Sequence, residues 1–296
     1  MKKKILSTLL AGAAIATMGV TSASANTLDA ISGDLKFQFD GWSASQTQYS
    51  ANCNSALDCD SKSIGGPAAA GANGDDDAWG FANVNVITDS SPIPAWTAGT
   101  DGDILLTYFH GFRDVSVVTT GTDTVFASTG GVVDIYRIDV ALYTDVIDAM
   151  NVVGADQQDL EDILALAGYE LYLHLEFFGD CGAVAGASFC SNFDTDIGEF
   201  GKGSSNGTAK VEFPGGSAES KYPDDFLFTQ DTESCVSLFD GVTRNGDCSE
   251  VEDNDTFILN VRGGEATTTV LPEPGALGLL GLGLVGMGLL GRRRKA

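Results

Sequence analysis

The chain has 296 residues, 41 acidic against 16 basic, and a formal net charge of −25. Seven of the basic residues sit at the two ends, so the body from Asn26 to Leu271 carries nine basic and forty acidic residues, a net charge of −31. Such a surface repels nucleic acid and anionic lipid and attracts cations, while the steady recurrence of Phe, Leu, Ile, Val and Trp excludes a disordered acidic segment.

Residues 1–25 read as a secretory signal peptide. Lys2, Lys3 and Lys4 form a charged start, Ile5 to Val20 an apolar stretch, and Ala23-Ser24-Ala25 a small-x-small cleavage pattern that makes Asn26 the first mature residue. An N-terminal signal helix is expected there, outside the fold.

Period-2 segments dominate the body. Leu35, Phe37 and Phe39 alternate with Lys36, Gln38 and Asp40, the pattern of a half-buried strand. Trp79 to Ile87 alternates again, and Ile104 to Phe109 is β-rich. Val115 to Thr119 and Val125 to Thr129 flank Gly121-Thr122-Asp123 as a hairpin, and Val132 to Leu142 follows as a long strand. Thr144 to Met150 reads as a weak helical turn. Leu160, Ile163, Leu164 and Ala167 recur at helical spacing within 156–167, with Asp156 placed to cap and Gly168 to stop the helix. Leu171, Leu173, Leu175 and Phe177 then alternate with polar residues. Later strands are expected at Ala209 to Phe213, Phe226 to Thr229, Cys235 to Phe239 and Thr256 to Val261. Gly-rich loops are expected at Ile64 to Gly74 and Gly198 to Gly207, and Gly263 to Val270 reads as a flexible linker.

Six cysteines fall in close pairs, Cys53/Cys59, Cys181/Cys190 and Cys235/Cys248. Spacing alone leaves 15 connectivities open. An oxidising compartment and local pairing favour three loop-closing disulfides over a zinc site, because the two histidines are remote in sequence from every pair.

Three acidic loops hold candidate calcium ligands: Asp75 and Asp77 in NGDDD, Asp101 and Asp103 in DGD, and Asp253 and Asp255 in NGDCSEVEDND. Asp and Asn clustered around glycines supply the hard oxygens calcium needs, although none matches an EF-hand loop. No catalytic residue is assigned. His110 precedes Gly111 and His174 lies on the polar face of its strand, and neither has a nucleophile motif nearby, so both read as ordinary strand histidines. Trp42, Trp79 and Trp96 offer rings that stack on sugars if exposed.

The C-terminal stretch is the most specific part. Pro272-Glu273-Pro274 holds the chain extended; Gly275 to Gly291 is uncharged and apolar; Arg292, Arg293, Arg294 and Lys295 follow. As a helix, 275–291 spans roughly 26 Å at ~1.5 Å per residue, and snorkelling arginines close the gap to the ~30 Å hydrocarbon core while marking the cytoplasmic side. The three elements in this order resemble the PEP-CTERM sorting signal of Gram-negative bacteria. That resemblance implies recognition and removal by an exosortase, passage through the secretion machinery, and residence in the inner membrane before processing. The segment from Asp77 to Gly80 through Gly130 to Tyr136 is also similar to other exported PEP-CTERM bodies. As a class these proteins are tied to exopolysaccharide, biofilm or floc formation.

The expected organisation is therefore a signal peptide (1–25), an exported body (26–262), a linker (263–270) and a sorting signal (271–296). The expected body is an all-β, jelly-roll-like β-sandwich with one short connecting helix, an all-β barrel being the alternative. The expected role is non-enzymatic, structural or adhesive, in the cell envelope, cell surface or extracellular matrix, with exopolysaccharide and calcium as candidate partners. A secreted carbohydrate-active hydrolase is the alternative.

Overall fold

The computed structural model describes residues 27–45, 48–64, 78–89, 93–121, 123–150, 155–182, 184–194, 202–212, 214–222, 225–235 and 259–270. In chain order the strands are β1 (Gly33–Ser45), β2 (Gln48–Tyr49), β3 (Ser63–Ile64), β4 (Ala78–Thr88), β5 (Trp96–Thr97), β6 (Asp103–Thr120), β7 (Asp123–Asp139), β8 (Glu170–Phe178), β9 (Phe189–Asp194), β10 (Lys202–Val211), β11 (Phe226–Cys235) and β12 (Leu259–Val270). The helices are α1 (Thr27–Ala30), α2 (Ala56–Lys62), α3 (Val140–Met150) and α4 (Gln157–Leu164).

The main sheet closes on itself. β1, β4, β6, β7, β8, β10, β11 and β12 each pair antiparallel with the next, and β12 returns to pair with β1 from Gly33↔Val270 to Ser43↔Leu259. This is an eight-stranded up-and-down barrel, and it overturns the expected β-sandwich. Both architectures alternate apolar and polar residues along their strands. They differ in whether the first strand meets the last, a pairing across more than two hundred residues that no local pattern encodes.

Two expected loops are strand. Residues 263–270, expected to be a linker, form the second half of β12, and Lys202 to Gly207 belong to β10. Their Gly, Ser and Thr content suggested open chain, but the glycines serve close packing. A Cβ on Gly264 would lie 2.2 Å from the Phe39 ring, and one on Gly207 would lie 2.7 Å from Phe177 and 2.9 Å from Phe189. Small residues on one strand make room for rings from another.

Those rings fill the barrel. Leu35, Phe37, Phe39, Leu105, Val133, Ile135, Leu173, Leu175, Phe177, Phe226 and Phe228 are all buried in one cluster. Phe177 packs with its ring centroid 5.3 Å from Phe228 and 5.3 Å from Phe189. A second core lies outside the wall, where Val146 and Met150 of α3 and Leu160 and Leu164 of α4 cover Trp79, Phe81, Ile104 and Leu106. β6 is thus buried on both faces, which is why Ile104 to Phe109 carries apolar residues at both parities. The Asp156 side chain accepts from the Asp159 amide at 3.1 Å and Asp159 accepts from the Asp156 amide at 3.0 Å, so a reciprocal capping box starts α4.

Both described disulfides close irregular chain. Cys53–Cys59 holds the α2 loop, in which Cys53 bridges to Val117, Asn52 accepts from the Thr119 amide and Asp60 pairs with Arg113. This loop covers the part of β6 that extends beyond β4, so a free sheet edge is not left open. β8 and β9 run along β7 one after the other, and Cys181–Cys190 ties off the loop between them.

Candidate functional site: the tail-bearing end of the barrel

The last described ladder pair, Gly33↔Val270, places the start of β1 and the end of β12 at the same end of the barrel. α1 plugs that end. Leu28 is fully buried and Ile31 nearly so within the barrel core. Lys221 Nζ donates to the carbonyls of Asp29 at 2.7 Å and Leu28 at 3.3 Å, and the Arg137 guanidinium holds Asp103 at 2.7 Å and Asp29 at 3.5 Å. Beneath the plug the hydroxyls of Tyr172 and Tyr222 meet at 3.2 Å. Burial drives the Tyr172 phenol up to about 12, against a smaller downward effect of that hydrogen bond, and pushes Tyr222 well above its usual value. Across the seam, Lys36 of β1 forms an ion pair with Glu265 of β12.

A second polar constellation lies on the outer wall. The register sets Asp134 of β7 between Tyr108 of β6 and His174 of β8. His174 Nδ1 lies 2.6 Å from one Asp134 oxygen and His110 Nε2 lies 3.2 Å from the other. The chain's two histidines, 64 residues apart, therefore converge on one carboxylate. The Tyr108 ring stacks on His110 at 4.3 Å, and its hydroxyl donates to Glu161 and accepts from Gln157, both at 2.7 Å, which locks α4 onto the wall. The other ring nitrogen of His110, Nδ1, is buried with no hydrogen-bond partner among the described residues. Burial, with the charges of Asp134 and Glu161, raises the Tyr136 phenol to about 12.

Asp134 is the residue that sequence reading missed. Its one signal is a carboxylate at outward parity between Val133 and Ile135, and its partners come only from the sheet register. The cluster joins three strands and holds α4 in place. Among the described residues no group of three His, Cys, Asp or Glu side chains is arranged to hold a metal ion.

The tail itself is settled by comparison with known families. The family model described as the PEP-CTERM protein-sorting motif matches residues 270–295. The chain ends in a PEP-CTERM sorting motif. No curated protein and no solved structure matches it. The motif is a substrate signal for exosortase, and it makes this an exported protein sorted through its C-terminus towards the cell envelope.

The PEP-CTERM motif begins on the last residue of β12, with no spacer between barrel and signal. Pro272, Glu273, Pro274, Arg292, Arg293 and Arg294 lie outside the described residues, as do Ala23, Ala25 and Asn26 and the expected transmembrane helix 275–291. Among the described residues no helix is long and apolar enough to cross a membrane. Cys53–Cys59 and Cys181–Cys190 are joined as expected, whereas Cys235 ends β11 and Cys248 lies outside the described residues. Asp75, Asp77, Asp253 and Asp255 also lie outside them. Asp101 stands at φ 58° in the turn before β6, and Asp103 accepts from Arg137 Nε at 2.9 Å and Nη2 at 2.7 Å. Trp79 and Trp96 are each 2 % exposed, and Trp42 packs beside Phe81, so Trp79 and Trp96 serve the core and not a sugar.

Proposed function

We infer that the barrel is a non-enzymatic structural or adhesive module, delivered by its tail to the cell surface or extracellular matrix and associated there with exopolysaccharide. The observation that carries this reading is the filled interior. Eight-stranded barrels that hold small ligands keep a central space, whereas here Phe37, Phe39, Phe177, Phe226 and Phe228 occupy it. Recognition then falls to the outer surface and the loops.

The body's charge of −31 opposes attachment to an acidic polysaccharide. Calcium held by NGDDD or NGDCSEVEDND would offset that repulsion by neutralising carboxylates and bridging to sugar oxygens. The test is a glycan-binding screen of the mature body with and without calcium, run beside a broad glycosidase screen. Saturable, chelator-sensitive binding without turnover is expected. Turnover of any glycan would replace this reading with that of a secreted hydrolase.

A further inference from the structure

The sorting motif starts where the barrel stops. Val270 is paired with Gly33 and Thr269 with Asp34, and Pro272 follows Val270 by two residues. Two extended residues reach only about 7 Å at ~3.3–3.6 Å each. An enzyme working at Pro272-Glu273-Pro274 therefore has almost no free chain on the barrel side. Gly33, which follows α1, and Val270 meet at the same end of the barrel, so an enzyme acting at the motif approaches the α1-plugged end.

The last three residues of β12 are held differently from the rest. Among the described residues β11 accompanies β12 only as far as Leu227↔Thr267, and Thr268 to Val270 pair with β1 alone. Thr268 is also a weak point, because its hydroxyl is buried with no hydrogen-bond partner among the described residues. A buried hydroxyl without a partner favours any state that returns it to water. Residues 259–267 remain between two neighbours when 268–270 leave, so the barrel stays closed.

We propose that Thr268–Val270 is a peelable leader: it detaches from Gly33–Leu35 of β1 and gives the membrane-embedded processing enzyme about 10 Å more chain at the Pro-Glu-Pro junction while the barrel remains folded. This rests on the sorting reading and adds how the site is presented. The unpartnered Thr268 hydroxyl sets the balance between paired and peeled states.

The experiment follows tail removal in the native host for four full-length chains beside wild type. D34C/T269C staples the peelable end, since directly opposed residues have Cα atoms about 4.5–5.5 Å apart, within disulfide range. S43C/L259C staples the opposite end of the same seam. The third chain combines D34C/T269C with ten Gly/Ser residues inserted after Val270, and the fourth is T268V. Stapling at Asp34 and Thr269 should slow processing at least tenfold, the insertion should restore it, and the remote staple should leave it unchanged. T268V, which keeps the side-chain shape and removes the hydroxyl, should slow processing several-fold and raise Tm. Wild-type processing of the D34C/T269C chain, or a slow chain that the insertion does not rescue, overturns the peeling step. An unprocessed wild-type chain would instead defeat the sorting reading beneath it.

Discussion

Gly264→Ala tests directly whether residues 263–270 are barrel or linker. A Cβ at Gly264 would lie 2.2, 2.5 and 2.7 Å from three atoms of the Phe39 ring, so the ring has to move. It cannot move freely, because Phe39 is 6 % exposed and its ring centroid lies 6.3 Å from that of Phe228. Overpacking of this kind costs about 1–3 kcal/mol. Alanine also narrows the unfolded ensemble, which returns about 0.4–1 kcal/mol. The overpacking dominates, and a net loss of about 1–2 kcal/mol lowers Tm by about 2–8 °C for a domain of this size. Thermal unfolding of the mature body by circular dichroism reads the change. Combining G264A with F39L should recover part of the loss, since neighbours that share a clash are not additive. An unchanged or raised Tm for G264A would refute the packing of Phe39 on Gly264 and return the segment to a linker.

Tyr172 and Tyr222 are held neutral by burial, so their contribution to stability is complete below about pH 10 and is lost as pH rises through the folded value, about 12 for Tyr172. Stability should fall across that window, less so in Y172F, and absorbance titration should show these phenols ionising only with unfolding. Asp134→Ala leaves both histidine rings without their Asp134 partner and should cost about 1–3 kcal/mol in denaturant unfolding, with Asp134→Asn costing less; equal stability of D134A and wild type would remove the cluster's structural role. Reduction should lower Tm, each short disulfide loop being worth roughly 2–3 kcal/mol, and peptide mapping should join Cys53 to Cys59 and Cys181 to Cys190; any other partner for Cys53 contradicts the α2 loop.

What was legible in the chain was local. The alternation of Leu35, Phe37 and Phe39 and of Leu171 to Phe177 marks strands β1 and β8, and Asp156 in the cap position ahead of the helical spacing marks α4. The hairpin read at Val115 to Thr129 is the tip of β6 and β7, which run on as a much longer pair. The helix read only weakly from Thr144 starts at Val140, because the alternation of Tyr136 and Ile138 in β7 runs on through Val140 and Leu142 with no Gly or Pro to mark the change. Closure was not legible, because β1 and β12 pair across the whole length of the body, with six other strands making up the rest of the ring. The meeting of His110 and His174 was hidden for the same reason: both sides of the contact pass through the register of β7. Glycine misled wherever it serves a close approach, as at Gly207 and Gly264, because the same residue also marks flexible chain.

Intact-mass measurement of the protein recovered from the native cell envelope tests the central claim, that this barrel is exported and sorted through the motif on its last strand. The expected species begins at Asn26 and ends near Pro272, with the chain from Gly275 onward removed. Full-length chains that still carry Arg292 to Lys295 in mature envelope material would contradict it and leave the tail as a plain anchor.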